Sequence, residues 1–181
     1  MLGRRVLPVV AALLFLTAMT CSPPSSSGGA PEAAAVASPL PRLHGDTVQG
    51  GTADTTRMRG GVLVVNVWAT WCGPCEREQP ALESVAKAYA SRGVRFLGLN
   101  ERDNLDAAKT WIARHGVTYP SISDPSGTFA DDLGFLGYPD TYVVDPSGTI
   151  RFVIAGEATA QEVSGAIDQV LAASATPSPS G

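Results

Sequence analysis

Apolar residues follow two different rhythms along this chain. Residues 62–68, VLVVNVW, form an almost unbroken β-branched run behind Gly60-Gly61, the pattern of a strand covered on both faces. A helical rhythm comes next. From Cys75 to Ala90 the apolar positions Leu82, Val85, Ala86 and Tyr89 recur three and four residues apart, and Gly93 supplies a stop. Pro80 falls inside this stretch, where its missing N–H and its ring predict a kink. Residues 94–100, VRFLGLN, read as a second strand. Residues 104–116, NLDAAKTWIARHG, read as a second helix that Asn104 caps and Gly116 ends. Strand, helix, strand, helix predicts a right-handed crossover between two parallel strands. TYVVD (141–145) and IRFVIAG (150–156) flank a PSG turn and predict a hairpin, and residues 158–174 a closing helix. No repeat with a period of 20 to 50 residues is visible.

The two ends break both rhythms. Arg4 and Arg5 precede an apolar stretch from Val6 to Met19, the layout of an export signal and shorter than the roughly 20 residues of a spanning helix. Ser22 to Pro39 is rich in proline, serine, glycine and alanine, which have little to bury, so a disordered tether is expected there. Between them, TAMTC ending at Cys21 resembles a bacterial lipoprotein signal, which implies lipidation of Cys21; Ala18 and Thr20 depart from the usual residues. The expected organisation is a signal peptide over 1–21, a tether over 22–40, one domain over 41–173 and a loose tail over 174–181. With a net charge of -4 and no lysine or arginine run, the chain offers no phosphate-binding face, and nucleic acid is excluded as a partner.

Export places the domain where structural disulfides are allowed, yet only Cys72 and Cys75 lie within it. These cysteines open a helix directly after a strand, which puts Cys72 exposed beside unpaired backbone N–H groups that favour a thiolate. The βαβ and ββα units in succession are the thioredoxin architecture, an α/β fold whose central mixed sheet carries helices on both faces.

VVNVWATWCGPC (64–75), the EREQP after it, GYPDTYVVD (137–145) and the exported N-terminus together carry a resemblance. From about residue 41 to 173 the chain resembles extracytoplasmic thioredoxin-like proteins of the TlpA, ResA and CcmG type. The resemblance implies a thiol-disulfide oxidoreductase without a cofactor or metal. Cys72 attacks a substrate disulfide, and Cys75 resolves the mixed disulfide. Pro139 is implied to follow a cis peptide bond, with the Tyr138 backbone offered to an extended substrate. Trp71, Gly73 and Pro74 complete the contact region, with Trp71 over the disulfide and Trp68 in the core. Asn66 stands where thioredoxin itself has an aspartate, and Glu78 matches a glutamate implied to move protons at the cysteines. The segment around Pro139, with Tyr138 and Asp140 replacing alanine and glutamate, resembles CcmG-like reductants, which tilts the reading toward cytochrome c maturation. Implied partners are protein disulfides, apocytochrome c among them, a membrane thiol donor of the CcdA or DsbD type, and the membrane itself through the lipid.

Other chemistries fit less well. Zinc needs two further ligands, and His44 and His115 are isolated and lack ligand spacing. His115 suits the C-terminal end of its helix instead. A staple across two residues constrains almost nothing, because disulfide stabilisation grows with loop length. A peroxiredoxin-like peroxidase has no C-x-x-C, and a pure binding or scaffold module needs no pair of thiols. Gly73-Pro74 is the dipeptide of thioredoxin, a reductant at about -270 mV, and Glu76 and Glu78 disfavour an extreme thiolate; reduction is the expected direction.

Overall fold

A computed structural model describes residues 33–175. At its centre lies β4 (Leu63–Trp68), every residue of which is buried. β4 pairs in parallel with β5 (Arg95–Glu101), in register from Leu63↔Arg95 to Trp68↔Asn100, and β5 pairs in parallel with β6 (Ser121–Asp124). On its other side β4 runs antiparallel to β7 (Asp140–Val144), which forms a hairpin with β8 (Thr149–Ala155). A further strand, β1 (Ala34–Pro39), lies antiparallel on β8. The order is therefore β1-β8-β7-β4-β5-β6, with a separate ribbon of β2 (His44–Asp46) and β3 (Thr52–Asp54).

Strand alternation sorts the core into two layers. Val62 and Val64 meet Leu82 and Val85 of α1 (Gly73–Tyr89) and Val163, Ile167 and Val170 of α4 (Ala160–Ala175). Leu63, Val65 and Val67 point the other way, into a layer with Leu97, Leu99, Ile122, and Ala130 and Leu133 of α3 (Thr128–Leu133). Helices thus cover both faces, which is the thioredoxin fold. At about 1.5–3 kcal/mol for each fully buried aliphatic side chain, these layers hold the C-terminal edge of β4 in one place. A third cluster sits at that edge: Trp68 stacks on Trp111 of α2 (Leu105–His115) at 4.4 Å, beside both cysteines.

The structure corrects the sequence reading at several points. The tether expected over 22–40 is wrong for its last part, because Ala34–Pro39 is β1, paired from Ala34↔Val153 to Pro39↔Thr149. Its side chains are mostly exposed, so β1 is held by backbone hydrogen bonds to an edge strand, and composition carries no trace of that. The closing helix reaches Ala175. Helix α1 opens at the cysteines as expected, with Cys72 as its N-cap, and runs on through Pro80; the proline removes one intrahelical bond without ending the helix. β6 and α3 lie in a stretch with no clear period, where the Asp124 carboxylate caps α3 by accepting from Phe129 N and Ala130 N, both at 3.0 Å. The export signal, Cys21 and the end of the tail lie outside the described residues.

Candidate active site

Past Trp68 the chain turns sharply, with Cys72 N–H donating to the Ala69 carbonyl at 3.2 Å. Cys72 is the N-cap of α1, and its Sγ accepts from Cys75 N–H at 3.1 Å. Gly73 and Pro74 fill the first two helical positions, where N–H groups have no intrahelical partner, so a proline there forfeits nothing. The two sulfurs are bonded to each other, with Cα atoms 5.3 Å apart. Cys72 was expected to be exposed; as a disulfide it is only 4% exposed and Cys75 1%. Reduction leaves the Cys72 sulfur at the positive end of a 17-residue helix with a donor already on it, an arrangement that favours the thiolate.

Around the sulfurs the surface is aromatic and open. Trp71 is 59% exposed, and its ring meets Tyr138 edge-on at 4.5 Å; Tyr138 in turn meets Phe135 at 4.7 Å. Leu136, two residues before Tyr138, is 96% exposed. The Tyr138–Pro139 peptide is cis, and Tyr138 packs against the cluster that contains both cysteines. Trp71, Cys72, Gly73, Pro74, Cys75, Tyr138 and Pro139 therefore gather at one end of the sheet. His115, in the last turn of α2, lies 3.5 Å from Glu76 and against the Trp111 ring.

Glu78 lies one turn below Cys75, 2% exposed. Its Oε1 accepts from Asn66 Nδ2 and its Oε2 from Ala158 N–H, both at 2.8 Å. Asn66 also donates to Thr141 Oγ1 at 3.0 Å. Burial pushes the Glu78 carboxyl up to about 7; the two donors oppose the shift, and the nearby charges of Glu157 and Asp140 add to it. Among the described residues no hydrogen bond joins Glu78 to either sulfur. Asp140, directly after the cis proline, is also raised by burial; it accepts from Leu136 N–H and from the Tyr142 hydroxyl.

One group at this end escaped the sequence reading. Asp103, between β5 and α2, accepts at Oδ2 from Thr70 N–H (2.6 Å) and Asn100 Nδ2 (2.9 Å), and at Oδ1 from the Thr70 hydroxyl (2.7 Å) and Asn104 N–H (2.8 Å). Thr70 lies 33 residues from Asp103, and no local pattern announces the contact.

The model of the AhpC/TSA family matches residues 36–153. The chain belongs to that family. Among curated family relatives, the thiol:disulfide interchange protein DsbE of Vibrio cholerae is 37% identical over 117 residues, 64% of this chain and 61% of that protein, so the chain spans about three fifths of its length. The thiol-disulfide oxidoreductase ResA of Geobacillus thermodenitrificans is 28% identical over 88% of this chain and 92% of its own. Among solved structures, a DsbF homologue from Corynebacterium diphtheriae superposes with a TM-score of 0.70 at 27% identity, covering 80% of this chain and 96% of that one. These relatives are named for thiol-disulfide exchange, and the Cys72–Cys75 disulfide and the resemblance read from WCGPC are in keeping with it.

Proposed function

We propose that the protein reduces disulfides of exported polypeptides on the outer face of the cytoplasmic membrane, with apocytochrome c among its substrates. The observation that carries this reading is Cys72 at the N-cap of α1, with the Cys75 N–H on its sulfur and an exposed aromatic rim beside it. The Cys72 thiolate attacks one sulfur of the substrate disulfide. That bond breaks, a Cys72–substrate disulfide forms, and the released thiolate takes up a proton. Cys75, deprotonated, then attacks the Cys72 sulfur, expels the second substrate thiolate and leaves the Cys72–Cys75 disulfide. Two electrons pass from protein to substrate. Glu78 is the group within one turn of Cys75 whose titration near neutrality suits it to take the Cys75 proton. Trp71, Gly73, Pro74 and the Tyr138–Pro139 backbone form the substrate contact.

Gly73-Pro74 and the nearby acids Glu76 and Glu78 favour reduction over oxidation as the direction. Outside the cytoplasm the spent disulfide needs a new pair of electrons, and a membrane thiol donor of the CcdA or DsbD type fits that need. Cys21 carries the lipid anchor in this reading, followed by a tether from residue 22 to β1. Among the described residues no helix is long and apolar enough to cross a membrane.

A Cys75→Ser variant tests the assignment, because it halts the reaction at the Cys72–substrate disulfide. Apocytochromes among the trapped partners are the expected outcome. A trapped set without them removes cytochrome c maturation and leaves disulfide reduction standing, whereas a reduction potential near that of strong oxidants, about -120 mV, reverses the direction.

A further inference from the structure

We propose that Asp103 is a positioning residue for Cys72, holding the turn that delivers the reactive sulfur to the start of α1; this rests on the reading that Cys72 is the attacking cysteine. The turn from Ala69 to Cys72 is closed on itself by a single backbone bond, Cys72 N–H to the Ala69 carbonyl at 3.2 Å. Its first corner is Thr70, and both donors of Thr70, the N–H and the hydroxyl, go to Asp103. The remaining acceptor positions of the carboxylate take Asn100 Nδ2 and Asn104 N–H. Four donors from three segments therefore converge on one group, tying the reactive turn to the end of β5 and the start of α2.

Capping of α2 does not explain this arrangement. Asn104 already caps that helix, its Oδ1 accepting from Asp106 N–H and Ala107 N–H at 3.0 Å each. Backbone geometry points the same way. Arg102 has φ +45°, the one non-glycine residue with positive φ among the described residues, a conformation strained for a side chain other than glycine. That turn redirects the chain at the end of β5 so that Asp103 faces Thr70. The Arg102 guanidinium is itself held, 2.7 Å from Glu101 Oε1 and 3.3 Å from Asp131. A sulfur set by such a turn is sensitive to its loss, since a displacement of about 1 Å at a reacting atom costs up to about 100-fold in rate.

The test uses the reduced protein and two readouts: kcat/KM for reduction of a cysteine-bridged peptide, and the pH profile of Cys72 alkylation by iodoacetamide. Asp103→Ala is expected to lower kcat/KM about 10- to 100-fold and to move the alkylation midpoint. Asp103→Asn keeps one oxygen for Thr70 but turns an amide NH2 toward two of the four donors, and is expected to recover only part of the loss. Thr70→Val loses only the hydroxyl bond, has a smaller effect, and adds nothing in the Asp103→Ala background. Wild-type kcat/KM and an unmoved alkylation profile in Asp103→Ala overturn the proposal, as do losses in the Thr70 and Asp103 variants that simply add. Should Asp103→Ala not fold, Thr70→Val decides: slower reduction at unchanged thermal midpoint supports the positioning role, and a wild-type rate overturns it. Wild-type protein that alkylates readily but reduces no peptide overturns the reductase reading instead.

Discussion

Two carboxylates flank the reactive cysteines and are kept in opposite states. Glu78, below Cys75, has two donors and almost no water, and burial dominates: its carboxyl rises to about 7. Asp103, beside Thr70, is only half-buried; burial raises it too, but the donors from Asn100, Thr70 and Asn104 more than offset this and hold it below the usual carboxylate range. The lesson lies in the ratio of donors to lost hydration. Two donors in a dry pocket leave a group that can give and take a proton near neutrality, whereas four donors at a wetter site make a permanent anion suited to holding other groups still. The protein thus separates proton handling from positioning, and puts one acid on each task.

Glu78→Gln is the severest way to break this contrast. In the folded oxidised protein Glu78 keeps its proton until about pH 7, whereas in the unfolded chain it releases it near pH 4.3. Between those values the folded state binds more protons, so wild-type stability falls as pH rises through the window and levels off above it. The loss attributable to this one group is up to about 4 kcal/mol. Glu78→Gln is expected to flatten the slope, read as urea midpoints at pH 5 and pH 8. Identical slopes in the two proteins would mean that Glu78 titrates normally and that its pocket is wetter than the geometry implies.

A milder change sharpens the same contrast. Asn66→Leu keeps the volume and removes the donor to Glu78 Oε1. Leaving a buried carboxylate short of a donor costs about 1–3 kcal/mol. The penalty is expected at pH 8, where Glu78 is charged, and to shrink at pH 5, where it is protonated; the falling limb of stability accordingly extends above pH 7. An equal penalty at both pH values would assign the effect to lost packing and the lost Thr141 bond.

Much of this architecture is legible in the sequence, and the illegible parts share a physical cause. β4, β5, α1, α2, the β7–β8 hairpin and α4 each carry their own apolar period, so each announces itself locally. β1 contributes backbone to an edge, β6 has four residues and α3 six, and these are fixed by partners elsewhere in the chain. The site divides the same way. Cys72, Cys75 and Pro139 sit in compact motifs, and the family resemblance singles out Glu78, three residues after Cys75. Its raised titration could not be read there, because burial in the folded core sets it, and the donors that oppose the shift come from Asn66, 12 residues earlier, and Ala158, 80 residues later. Asp103 reads as an ordinary charge before a helix until Thr70 is brought to it.

Trp71 supplies the smallest expected effect, and it decides how the Asp103 grip reaches the chemistry. The ring is 59% exposed and touches Tyr138 edge-on, so Trp71→Ala should leave the thermal midpoint nearly unchanged. An aromatic contact of this kind is worth about 0.5–1.5 kcal/mol, which corresponds to a rise of roughly 2- to 10-fold in KM for a peptide substrate with kcat largely kept. If Asp103 works by setting the Cys72 sulfur, its removal lowers kcat, a signature Trp71→Ala lacks. Were the two variants to share one pattern, raised KM and unchanged alkylation of Cys72, the carboxylate would be steering the aromatic rim and not the sulfur. The distinction follows from chain geometry: Thr70, which Asp103 holds, is adjacent to Trp71 and one residue further from Cys72, so only the split between KM and kcat separates the two routes.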